Sequence, residues 1–210
     1  NTKLKYPYAV YQQLKNKNLI VDKFKNLKKL NFNKTYPISR IVLTKTQDNV
    51  YKKIHTNFKD NNKPHFLHGI TGSGKTEIYL KLAHDFIHTK KSCLILVPEI
   101  TLSSQLYNRF KEYFGSNVLL WHSKISDKKK HEAWEKMNQK NPFIIIGARS
   151  ALFAPLYNLG LIVIDEEHDS SYKESEKQPS YHARDMAIIR GKFSKSMVLL
   201  GSATPSLESY

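Results

Sequence analysis

The chain has 210 residues, 40% of them hydrophobic and 25% charged, the make-up of a folded chain rather than a disordered one. One cysteine, Cys93, excludes an internal disulfide framework and a multi-cysteine zinc site, and fits a reducing, cytoplasmic setting; no apolar run approaches the roughly 18 residues of a membrane span. The net charge is +16, and it is uneven: residues 1–63 hold 15 basic and 3 acidic side chains (+12), residues 64–210 hold 19 and 15 (+4). A segment this basic is drawn to a polyanion, most often nucleic acid, although solvated lysine faces with no ligand read the same way.

In chain order, residues 1–40 stand apart. Residues 8–14 read as a short helix, and Val21, Phe24, Leu27 and Leu30 recur at helical spacing until Pro37 ends the pattern. No chemistry is legible there, so 1–40 is expected to be a partial N-terminal appendage or linker. The chain opens on Asn1 rather than Met, as a fragment would. From about residue 41, apolar runs alternate with amphipathic stretches. Residues 66–68, 92–97, 118–120, 143–146, 161–164 and 197–200 read as strands. Residues 78–87 and 102–114 read as helices. Continuous apolar strands between helices predict an α/β domain over 41–210, a mostly parallel sheet with helices on both faces.

The most specific signal is Gly69-Ile70-Thr71-Gly72-Ser73-Gly74-Lys75-Thr76, a G-x-x-x-x-G-K-[ST] phosphate loop between a strand and a helix. Its glycines let backbone N–H groups curl around phosphate oxygens, and the helix adds its positive end. Lys75 is expected to reach the β- and γ-phosphates and Thr76 to ligate Mg²⁺; Gly69, Thr71, Gly72, Ser73 and Gly74 complete the nucleotide cradle. Further on, Asp165-Glu166-Glu167-His168 follows an apolar strand. Asp165 is expected to hold Mg²⁺, and Glu166 to act as the base or positioner for the attacking water. The two strand tips are expected to lie side by side, with Lys75, Asp165 and Glu166 as the catalytic set. His84 and His88 have zinc-ligand spacing but no third partner and read as solvated. Trp121 and Trp134 read as core, and Cys93 as an inert buried residue.

Asp165-Glu166-Glu167-His168 resembles the DExH box of superfamily 2 helicases and translocases. Gly201-Ser202-Ala203-Thr204-Pro205 resembles their coupling motif, and Leu43-Thr44-x-x-Gln47 their adenine-reading glutamine. Longer blocks follow in the expected order. They are Leu96-Val97-Pro98-Glu99-Ile100-Thr101-Leu102, His122-Ser123, Gly147-Ala148-Arg149-Ser150-Ala151-Leu152-Phe153-Ala154-Pro155 and Tyr181-His182-Ala183-Arg184-Asp185. Over about 43–210 the combination is similar to the primosomal replication-restart DNA helicases.

That resemblance implies a RecA-like ATP-binding lobe of an ATP- and Mg²⁺-dependent 3′ to 5′ helicase that loads on forked or single-stranded DNA. Replication-restart and single-strand-binding proteins are its implied partners, with no membrane. It implies that Thr101 and Ser150 bond phosphate oxygens, Arg149 pairs with one and Tyr172 stacks on a base, although an internal ion pair for Arg149 and a packed loop position for Tyr172 read the same way. His168, Arg184, Ser202 and Thr204 would face DNA or couple it to the nucleotide. A winged-helix domain precedes this lobe in such proteins. The second lobe with its arginine finger, and the cysteine-rich zinc module, are not in these 210 residues, so the piece alone is expected to bind nucleotide weakly, hydrolyse it poorly and not unwind DNA. Three rivals stand: another double-stranded DNA translocase, such as a fork-reversal or restriction motor; a small-molecule P-loop kinase; and a basic DNA-binding module with an idle P-loop.

Overall fold

The computed structural model describes residues 41–60, 63–98, 104–122, 125–137, 141–176 and 178–206. The readings at residues 1–40, Thr101, Ser123 and 207–209 lie outside them. Helix α1 (Lys45–Asp60) is followed by strand β1 (His65–His68), helix α2 (Lys75–His88) and strand β2 (Ser92–Leu96). Then come α3 (Ser104–Phe114), β3 (Val118–Trp121), α4 (Asp127–Met137), β4 (Ile144–Gly147) and β5 (Leu159–Ile164). A two-stranded ribbon, β6 (Lys173–Glu174) with β7 (Tyr181–His182), leads into α5 (Ala183–Ser194) and β8 (Met197–Ser202).

The six main strands form one sheet in the order β1-β8-β5-β2-β4-β3. Every neighbouring pair is parallel. Parallel strands need both faces covered, because their crossovers run over the sheet. The alternation of side chains shows how this is done. Cys93, Ile95, Leu161, Val163, Met197 and Leu199 share one hydrophobic cluster with Ile54 of α1, Ile78, Leu82 and Ala83 of α2, and Phe110 and Phe114 of α3. The intervening residues Leu94, Leu96, Ile162, Ile164 and Val198 are equally buried. On their side Gly191 of α5 sits so close that a Cβ there would meet Val198 and Ile162. Burying each such aliphatic side chain stabilises the fold by about 1.5–3 kcal/mol.

One parallel sheet has one carboxyl edge. The phosphate loop leaves β1 there, Val97-Pro98 leaves β2, and His122 leaves β3. The Ala148-Arg149-Ser150 stretch leaves β4, Asp165 to His168 leave β5, and the segment after Ser202 leaves β8. Six sequence blocks scattered over more than a hundred residues thus meet on one rim, where open α/β sheets bind ligands.

Three expectations need correcting. The strands that end in the P-loop and in Asp165 are not adjacent: β8 lies between them. His84 is buried rather than solvated; its ring lies 4.2 Å from that of His88 and its Nδ1 is 3.3 Å from Asp85. Trp134 is 44% exposed, so it is not a core residue. The helices α1, α4 and α5 and the β6–β7 ribbon are not among the elements expected from the sequence, and only the structure delimits them. No described helix is long and apolar enough to cross a membrane.

Candidate active site

The phosphate loop begins where β1 ends. Gly69 N–H donates to Ser202 O at 3.1 Å and Ser73 N–H to Ile70 O at 3.1 Å, which closes the loop against β8. Gly74 caps α2 with a φ of 81°, a left-handed conformation that glycine adopts without cost, and no side chain caps the helix. The amine of Lys75 donates to Gly69 O at 2.7 Å and lies 3.8 Å from Glu166 Oε1. A cradle of this kind, with an amine above it and an uncapped helix N-terminus, suits a phosphate chain.

Gln47 reaches the same loop. Its Nε2 donates to Ser73 O at 3.1 Å. At the start of α1 its Oε1 accepts from Thr44 N–H at 2.9 Å, while Thr44 Oγ1 accepts from Gln47 N–H at 3.3 Å. That is a capping box, a T-x-x-Q signal legible in the sequence but read there only for its adenine-facing amide.

The acidic side is built from β5. Asp165 N–H donates to Leu96 O at 2.9 Å, which aligns the strand tip with β2. Glu166 then takes a φ of 47°. This left-handed step turns the chain, so the two successive acids no longer alternate to opposite faces. Two buried tyrosines hold Asp165: Tyr79, to which sequence reasoning gave no role, and Tyr172, to which it gave a different one. Tyr79 of α2 donates its hydroxyl to Asp165 Oδ1 at 2.9 Å, and Tyr172 donates to Asp165 O at 2.6 Å. Tyr79 stands three residues after Thr76, on the same helical face; that spacing was the only sequence signal for it. Burial, more than any charge, raises the Asp165 carboxyl above its usual range. Burial likewise pushes both tyrosine hydroxyls up, so they remain donors.

The segment after β8 is tied to the same place. Ser202 Oγ lies 2.8 Å from His168 Nδ1 and accepts from Thr204 N–H at 3.1 Å. Thr204 Oγ1 is 3.1 Å from His168 Nε2, and His168 Nδ1 is 3.8 Å from Glu166 Oε2. His68 Nε2, just before the P-loop, is 3.3 Å from Ala203 O. Lys75, Glu166, His168, Ser202 and Thr204 therefore form one connected constellation.

The DNA-facing set fares differently. Tyr172 is wholly buried, so its ring offers no face to a base; it is a packing and positioning residue. Arg149 turns inward, pairing with Glu174 at 2.9 Å and donating to Ser171 O and Lys173 O. Its guanidinium braces the ribbon rather than standing open to a phosphate. Arg184 also turns inward, to Glu167 and Ser206, and pairs at the surface with the exposed Asp185. Ser150 is exposed on the rim.

Residues 44–210 match the DEAD/DEAH box helicase family. Replication restart protein PriA of Bacillus subtilis (strain 168) is 48% identical over 180 residues, which is 85% of this chain and 22% of that protein. The PriA of Chlamydia pneumoniae is 50% identical over 165 residues, 78% of this chain and 22% of that protein. The chain thus spans about a fifth of the length of these curated relatives. Among solved structures, RecG bound to a three-way DNA junction superposes with a TM-score of 0.58 at 23% identity, over 80% of this chain and 22% of that one. The Pyrococcus furiosus Hef helicase domain gives 0.58 at 20%, over 80% and 34%. Likeness at that identity speaks for the fold.

Proposed function

Since the chain belongs to the DEAD/DEAH box helicase family, we propose that it is the ATP-binding lobe of a DNA helicase that acts in replication restart. The observation that carries the chemistry is the approach of the Lys75 amine to Glu166 at 3.8 Å, beside an Asp165 carboxylate already oriented by Tyr79. The family uses a nucleotide and a divalent metal. The finer reading is ATP with Mg²⁺, held by the Thr76 hydroxyl and the Asp165 carboxylate. Two protein oxygens suffice, because Mg²⁺ takes its remaining ligands from phosphates and water. When bound, the cation neutralises charge on the β- and γ-phosphoryl oxygens.

In this reading the residues divide the work. Gly69 to Gly74 and the α2 N-terminus accept the phosphate chain, and Lys75 leaves Gly69 O for the γ-phosphate. Gln47 braces the loop through Ser73 and keeps an amide proton for the adenine edge. Glu166 orients water and takes its proton, with the left-handed turn aiming its carboxylate at the Lys75 side. Ser202, Thr204 and His168 pass changes at the nucleotide to the rim, where Ser150 meets the phosphate backbone of DNA. Forked or single-stranded DNA, replication-restart proteins and single-strand-binding proteins are the proposed partners. The support is the 48–50% identity to proteins named for replication restart.

The test is ATP hydrolysis by the full-length protein with and without forked DNA. We expect strong stimulation by DNA, abolished by Lys75→Ala and by Glu166→Gln. Hydrolysis indifferent to DNA would point instead to a small-molecule kinase, and full function in Lys75→Ala to an idle P-loop.

A further inference from the structure

One buried acid has no part in that chemistry. Glu167 follows Glu166 and is wholly buried. Its Oε1 accepts from Ser206 N–H at 2.9 Å and its Oε2 from Ser206 Oγ–H at 3.2 Å. Arg184 Nη1 lies 3.4 Å from the same Oε2 and donates to Ser206 Oγ at 2.9 Å. Arg184 is fixed in turn by Asp185 at 3.0 Å. The Glu167 backbone is held too, its N–H donating to Gly201 O at 3.1 Å.

A buried carboxylate is costly, and an apolar side chain of like volume often serves stability as well or better. What the carboxylate adds is direction: fixed hydrogen bonds to one backbone N–H, one hydroxyl and one guanidinium. Those partners come from two places, the chain leaving β8 and the start of α5. On its other side Glu166 is bounded by Asp165, which Leu96, Tyr79 and Tyr172 hold. The left-handed Glu166 is thus suspended between two anchored residues. A non-glycine residue at φ 47° persists where its surroundings over-determine it.

We propose that Glu167 is a positioning residue, and that the Glu167–Arg184–Ser206 clamp sets the orientation of Glu166 according to where segment 202–206 stands. A shift of Ser206 pulls on the residue next to Glu166 through two hydrogen bonds. The turn at Glu166 has little slack to absorb that pull, because Asp165 is pinned. This route runs through the third residue of the Asp-Glu-Glu-His run and beyond the Ser-Ala-Thr element. It is separate from the His168–Ser202–Thr204 contacts. It rests on the reading of Glu166 as the water-orienting acid.

The test uses the full-length protein and the variants Glu167→Ala, Arg184→Ala, Ser206→Ala and the double variant Glu167→Ala/Arg184→Ala. Two quantities are read: the dissociation constant of a fluorescent ATP analogue, and kcat for ATP hydrolysis at saturating forked DNA. Glu167→Ala and Arg184→Ala are each expected to bind the analogue within twofold of the unmodified protein while kcat falls at least tenfold. The double variant is expected to be no slower than the worse single one, because a clamp fails as a unit. Ser206→Ala keeps the backbone donor and is expected to lose less, and it reports on the clamp should Glu167→Ala not fold. The proposal is overturned if kcat stays within twofold in the single variants. It is also overturned if binding and kcat fall in parallel, or if the two losses multiply. An unmodified protein without DNA-stimulated hydrolysis would instead sink the helicase reading, a distinct outcome.

Discussion

Gly201 is the point where β8 lets the two halves of the site touch, and replacing it tests that geometry. A Cβ at Gly201 would lie far inside van der Waals contact of the Tyr79 hydroxyl, 3.1 Å from Tyr79 Cζ and 3.4 Å from Asp165 Oδ1. Tyr79 is wholly buried, so its ring cannot swing away freely. Gly201→Ala should therefore cost about 1–3 kcal/mol of overpacking, plus about 2 kcal/mol for the hydrogen bond to Asp165 that the displaced hydroxyl gives up. Tyr79→Phe alone should cost only the second of these, about 2 kcal/mol. In the double variant the clashing oxygen is gone, and the methyl meets only the ring carbon. The double variant should then be about 3–5 kcal/mol more stable than the sum of the single losses, less what the 3.1 Å contact with the ring carbon still costs, a coupling at or above the upper end of the range for residues in contact. Equilibrium urea unfolding of the three variants gives the cycle. With a slope of about 2 kcal/mol per molar, Gly201→Ala should lower the midpoint by roughly 1.5–2.5 M. Strict additivity, within about 0.5 kcal/mol, would show that Gly201 does not make room for that hydroxyl.

Four further outcomes follow from the same structure. The Asp165 carboxyl is raised by burial above its ordinary 3.8, so the native state holds this proton more tightly than the unfolded chain does. Its ionisation therefore weakens the fold as pH rises through that window. Asp165→Asn should raise the urea midpoint at pH 7 in chelator, and the gain should shrink as pH falls toward 4. Cys93 is wholly buried, with its thiol pushed up by desolvation and 3.8 Å from Ala83 O. A thiol reagent should modify it only as fast as the chain unfolds globally, and rapid labelling in native buffer would contradict that burial. Thr44→Ala removes one arm of the capping box and should cost about 0.5–2 kcal/mol by urea titration. Gln47→Ala should cost more, because it also frees Ser73 O.

The linear sequence determined the strands and the phosphate loop. A buried parallel strand is a continuous apolar run, and a phosphate cradle needs glycine, lysine and a hydroxyl at fixed spacing; both are local requirements. Residues 92–97 and 161–164 were visible for the first reason, and Gly69 to Thr76 for the second. Parallel pairing also put the six blocks on one edge. Strand order was not local. β8 comes last in the chain yet lies between β1 and β5, because its partners are chosen by packing across the whole sheet. For the same reason Tyr79, Glu167 and Ser206 stayed hidden: a tyrosine or glutamate that meets its partner 86 or 39 positions away leaves no periodic trace. Arg149, Tyr172 and Arg184 carried the chemistry of DNA contact in their residue types. Only the tertiary structure turned them inward, because the ribbon and the turn after β5 present buried carbonyls and carboxylates that need those donors more than solvent does.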